Sequence, residues 1–237
     1  MVFEIVKTNI VNVTADAIVL PANSKLKEGS GTSTAIFQAA GRKKLTKACK
    51  DIGFCEVGSA VPTLAFDLDA EYIIHAVVPK WIDGNKGEYD LLCSAYLTAL
   101  KLADVMGCKT IAFPLLASGN NGFDKELAFE IAKESFESFE GYYLKKALLV
   151  IYGEPVAALV RRRGYNYIEI PEDLLRQEQK EKQDVKRKQM VENGKAIAQQ
   201  ALEDSIELGM DFLKKKENQK MLFNLAVKIV RIAIAKR

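Results

Sequence analysis

Residues 15–41, ADAIVLPANSKLKEGSGTSTAIFQAAG, pass from a near-continuous apolar run through a glycine-bearing loop into a helical repeat. The run Ala15 to Leu20 has the character of a strand covered on both faces, where neither side can be left to water. From Thr32 to about Asp51 the apolar residues Ala35, Ile36, Ala39, Ala40 and Leu45 recur at three- and four-residue steps, which predicts one helix. Between strand and helix lies Gly29 to Thr32. Backbone N–H groups in such a loop sit beside a positive helix end, a natural cradle for phosphate oxygens. A plain tight turn fits the same four residues equally well.

Working outward, Phe3 to Val6, Ala60 to Ala65, Tyr72 to Val77, Thr110 to Leu115 and Ala147 to Tyr152 read as further strands. Helical patterns occupy Leu91 to Met106, Lys125 to Phe139 and a short stretch from Pro155 to Arg163. Tyr165 to Ile170 reads as an edge strand that Pro171 stops. Strands alternating with helices give a three-layer α/β domain over residues 1–171. Ser118 to Phe123, SGNNGF, again follows a buried strand and precedes a helix, with glycines and asparagines that tolerate left-handed backbone. Ligands of open α/β sheets bind beyond the carboxyl ends of the strands. Both loops therefore face one cleft, and a diphosphate between them follows.

The 237 residues, 49% hydrophobic and 27% charged, suffice for one full core and a smaller appendage. Residues 172–237 hold 15 basic and 11 acidic side chains, a +4 segment after a domain with 19 basic and 20 acidic ones. Good helix formers fill that segment, which predicts an α-helical extension. Its last stretch, Met221 to Ala235, is apolar around most of its circumference. It is expected to pack on the domain, on a second copy or on a protein partner; contact with a membrane surface is the less favoured reading. Lys186 to Lys188 and Lys214 to Lys216 are interspersed with acids and lack an aromatic platform, so no specific nucleic acid is expected. Cys49, Cys55, Cys93 and Cys108 show no CxxC spacing and His75 is the sole histidine, so neither metal nor cofactor is expected and the thiols read as free. The charged start MVFEIVKTNI lacks a secretory apolar run, which with free thiols predicts a cytoplasmic protein.

Taken together, ADAIVLPANSKL, GSGTSTAIFQAAG, YIIHAVVP and IAFPLLASGNNGF occur in the order and spacing of macrodomains, and residues 1–170 resemble that family. The resemblance implies an α/β/α macrodomain with a mixed, mostly parallel central sheet, and a cleft for ADP-ribose or a related nucleotide, free or linked to a protein. It places Asn9 and Ile10 at the adenine, Ala22 and Asn23 beside the distal ribose, and Gly29, Ser30, Gly31, Thr32 and Ser33 in the first phosphate loop. Ser118, Gly119, Asn120, Asn121 and Gly122 fall in the second, and Phe123 falls on the distal ribose. Tyr152 stands near where some members stack an aromatic on adenine; a buried sheet-end tyrosine is the alternative. His75, on an apolar strand, reads as a core residue.

Two departures bear on chemistry. Members that hydrolyse ADP-ribose esters often carry an acid where this chain has Ser33, and the asparagine that opens the family's NAAN is Leu20 here. A serine cannot serve as the carboxylate base, whose help is typically worth about 10²–10⁴-fold, so binding is expected to survive better than catalysis. The first reading is thus a binder of ADP-ribose or its derivatives. The alternative is a hydrolase that removes mono-ADP-ribose from proteins or deacetylates O-acetyl-ADP-ribose, with Asn23 as its catalytic residue.

Overall fold

The computed structural model describes residues 1–171. The expected helical extension, with its packing and membrane readings, lies outside the described residues. Strands β1 (Val2–Lys7), β2 (Ala17–Ala22), β3 (Ala60–Leu64), β4 (Tyr72–Val77), β5 (Thr110–Pro114), β6 (Lys146–Ile151) and β7 (Ile168–Glu169) form one sheet in the order β3-β4-β2-β5-β6-β1-β7. All neighbours run parallel except β3 and β4. The mixed, mostly parallel sheet therefore has its antiparallel pair at one edge.

Period-two alternation splits each central strand between two cores. Ile18 and Leu20 of β2, Ile73 and Val77 of β4, and Ala112 of β5 face Ile36, Phe37, Leu45 and Cys49 of helices α1 (Thr32–Ala39) and α2 (Arg42–Ile52). Val19, Ile74, Ile111, Phe113 and Leu149 point the other way. There they meet helices α3 (Glu88–Val105), α4 (Lys125–Ser138) and α5 (Glu154–Arg162), through Leu92, Tyr96, Phe129, Phe136, Val156 and Val160. This is the α/β/α sandwich. Each large side chain fully buried in it contributes about 1.5–3 kcal/mol relative to exposure.

Two expectations are corrected. The helix expected from Thr32 to Asp51 is two helices, because Gly41 adopts a left-handed conformation (φ 89°) and its carbonyl accepts from Lys44 and Leu45, starting α2 on a new axis. The edge strand expected over Tyr165 to Ile170 shrinks to Ile168–Glu169, whose two side chains are exposed. Among the described residues no helix is long and apolar enough to cross a membrane.

Candidate functional site

Parallel pairing brings the carboxyl ends of β4, β2, β5, β6 and β1 to one edge in that order. Reading along it, the β4 end leads to Trp81, the β2 end to Asn23 and the first glycine loop, the β5 end to Ser118–Phe123, the β6 end to Tyr152 and the β1 end to Asn9 and Ile10. At about 4.8 Å per strand, β2 and β1 stand roughly 14 Å apart. Residues far apart in sequence thus line one elongated edge.

The first loop is built by its own side chains. Asn23, exposed, donates from Nδ2 to the Lys27 carbonyl (2.7 Å) and accepts at Oδ1 from the Lys27 N–H (3.2 Å). Ala22, buried, ends β2 just before it. Ser33 is buried, and its hydroxyl accepts from the Gly29 N–H at 3.0 Å, while Thr34 donates to the Gly29 carbonyl at 2.6 Å. Gly31 takes positive φ (58°) at the N-cap of α1, and no side chain caps that helix. The first-turn N–H groups following it, from Thr32 on, keep the partial positive charge that favours an anion. The loop does contain a carboxylate: Glu28, gripped by the Arg42 guanidinium through two contacts of 2.8 Å.

The second loop is pinned from three sides. Leu116, at its base, donates its N–H to the hydroxyl of fully buried Tyr96 (2.9 Å), and Ser118 donates to the Leu115 carbonyl (2.9 Å). Gly119 accepts from the Gly122 N–H, and Ala117 and Gly122 both sit at positive φ. Asn120 reaches across to donate to the Ser30 hydroxyl at 2.5 Å, so the two glycine loops touch. A cavity of about 320 Å³ lies beside Phe123, lined by Asp124, Lys125, Pro155 and Leu159 among others, but no residue of the first loop lines it.

Trp81 and Glu88 are the residues sequence reasoning missed. Trp81 packs edge-on to buried Phe123 (centroids 5.0 Å), its backbone N–H donates to the Asn121 carbonyl (2.8 Å), and the Asn121 side-chain amide donates to the Pro79 carbonyl (2.9 Å). Phe123 lies beneath that tryptophan and is only 3% exposed. Glu88 is buried, and its carboxylate accepts backbone N–H bonds from Ile82, Asp83, Gly84 and Lys86. Burial pushes its pKa up, but backbone N–H bonds, from Glu88 itself and from Lys86, Asp83 and Ile82, together outweigh it and hold the value at about 2. The available signal was Trp81 itself, a lone tryptophan three residues beyond the apolar run of β4; nothing in the pattern marked Glu88.

At the adenine end of the expected site, Asn9 caps a 3-10 turn over Ile10–Asn12, accepting from the Val11 N–H at 3.3 Å, and Ile10 is buried. Tyr152 is 67% exposed, which removes the buried sheet-end alternative. His75 is wholly buried, 3.0 Å from the Thr63 hydroxyl, and burial pushes its pKa down to about 4. It belongs to the core, as expected. Among the described residues no group of three or more His, Cys, Asp or Glu side chains is placed to hold a metal ion.

Comparison with known proteins agrees with this fold. The Macro domain family model matches residues 19–132. A macro domain-containing protein of Caldanaerobacter subterraneus subsp. tengcongensis is 42% identical over 155 residues, covering 64% of this chain and 89% of the relative. The O-acetyl-ADP-ribose deacetylase of Klebsiella pneumoniae (strain 342) is 39% identical over 170 residues, covering 69% of this chain and 97% of the enzyme. Among solved structures, a mutant of the Oceanobacillus iheyensis macrodomain with ADPR superposes with a TM-score of 0.63 at 28% identity, over 68% of this chain and 90% of that one. The chain belongs to the macro domain family.

Proposed function

We propose that the edge from Trp81 to Asn9 binds ADP-ribose and its derivatives in an extended pose and that an ester on the distal ribose of such a derivative is hydrolysed there. The observation that carries the binding is the order of loops along the sheet edge: Asn23 and Trp81 at one end, two glycine loops in the middle, Tyr152 and Asn9 at the other. Distal ribose, diphosphate and adenine follow one another in the same order in ADP-ribose. The uncapped first turn of α1 supplies N–H donors for the diphosphate without any cationic side chain.

Hydrolysis is supported by the likeness to the Klebsiella O-acetyl-ADP-ribose deacetylase, nearly the whole of which this chain matches. It favours O-acetyl-ADP-ribose as the ester: water adds to the acetyl carbonyl, the bond to the ribose oxygen breaks, and acetate and ADP-ribose leave. The water's proton has no carboxylate to go to in the first loop, since Ser33 holds the Gly29 N–H and Glu28 is taken by Arg42. This reading gives the role of base to a phosphate oxygen of the substrate, with Asn23 placing the water.

A time course of acetate release from O-acetyl-ADP-ribose tests this. Wild type turns over slowly, and Asn23→Ala at least tenfold more slowly. Equal background rates for wild type and Asn23→Ala would remove the hydrolase and leave the binder.

A further inference from the structure

The β4–α3 connection, residues 78–87, is exposed from Ile82 to Gly87, yet it has one geometry imposed from inside. Glu88 Oε1 accepts from the N–H groups of Ile82 (3.1 Å), Asp83 (3.2 Å) and Gly84 (3.2 Å), and Oε2 from Lys86 (2.6 Å). A buried carboxylate is costly unless several charge-assisted bonds compensate it. Here the compensating partners are the N–H of Glu88 itself and four N–H groups of the loop backbone, so the loop shape depends on the carboxylate.

What the loop carries is Trp81. Gly84, at φ +83°, passes so close over the indole that an added Cβ would lie 3.0 Å from the ring. Below the indole are Phe123 and the two hydrogen bonds that join Pro79 and Trp81 to Asn121. The chain of contacts therefore runs from Glu88 through the 82–86 backbone and Trp81 to Asn121, Gly122 and Phe123 of the second glycine loop.

We propose that Glu88 is a positioning residue of the cleft, acting through Trp81 and Asn121 to hold the second glycine loop in the shape that receives the diphosphate. This rests on the reading of the cleft as an ADP-ribose site. Glu88 touches no ligand; it sets where Asn121 and Gly122 present their backbone. The backbone N–H bonds hold its carboxyl well below the usual carboxylate range.

Trp81 is the only tryptophan in the chain and reports the clamp directly. In Glu88→Gln, Oε1 keeps its three bonds but the side-chain amide faces the Lys86 N–H donor to donor. Trp81 emission in the full-length variant, without ligand, moves to longer wavelength and acrylamide quenches it more strongly. Its calorimetric Kd for ADP-ribose rises tenfold or more at a temperature where both proteins give the same far-ultraviolet dichroism, and Glu88→Asp, which keeps the charge, falls between. Unchanged emission, or changed emission with a Kd within threefold of wild type, overturns the proposal. No ADP-ribose binding by wild type overturns the ADP-ribose reading as well, so the two failures are told apart. If the Gln variant does not fold, amide exchange in wild type decides. ADP-ribose must slow exchange at Ile82, Asp83, Gly84 and Lys86 relative to Gly87, and unaltered exchange there contradicts the clamp.

Discussion

His75 and Ser33 show how a residue's surroundings decide its chemistry. His75 is neutral inside the fold because burial lowers its pKa from 6.5 to about 4, and its distance of 4.0 Å from the Cys49 sulfur makes no reactive pair, since burial also raises that thiol to about 11. The unfolded chain takes up the imidazole proton first as pH falls below about 6.5, so this part of the stability is whole above that value. It declines until about pH 4, roughly 2 kcal/mol of it between pH 7 and 5. Urea unfolding at the two pH values checks this. His75→Gln, which keeps a polar partner for Thr63, is expected to lose that much less stability over the interval; equal losses would mean the histidine is not desolvated. That His75 was a core residue could be read from its apolar strand. That Ser33 closes the first loop onto Gly29 could not, because a serine in a glycine-rich stretch has the same pattern whether it faces ligand or backbone.

Elements were legible where an apolar period ran uninterrupted. β4 lies over Tyr72–Val77 as its sequence alone indicates, and α4 begins at Lys125, where Asp124 supplies an N-cap that accepts from Glu126 and Leu127. The break between α1 and α2 was not legible, since Ala40 and Gly41 fit a continuing helix until Gly41 takes a backbone conformation only the fold selects. The clamp by Glu88 escaped for a related reason: its partners are backbone N–H groups, which carry no sequence signature. Tyr96 makes a comparable join, tying α3 to the base of the second glycine loop through the Leu116 N–H. Tyr96→Phe leaves that donor buried without a partner and is expected to cost about 1–3 kcal/mol. A urea midpoint unchanged from wild type would show that Leu116 finds another acceptor.

Over the whole described domain, sheet order does what no single motif does. The two glycine loops are 87 residues apart from Gly31 to Ser118, and they meet only because β2 and β5 are neighbours whose carboxyl ends share an edge. The same order spreads Asn23, the loops and Tyr152 into a line suited to a long, doubly charged ligand, with Asn120 already bonded to Ser30 across the middle. Calorimetric titration of the full chain with ADP-ribose, followed by amide chemical shifts, tests whether this edge is the ADP-ribose site. Saturable one-to-one binding is expected, with shifts concentrated at Asn9, Asn23, Gly29 to Thr32, Trp81, Ser118 to Phe123 and Tyr152. No heat of binding, or shifts clustered away from the carboxyl edge of the sheet, would contradict it.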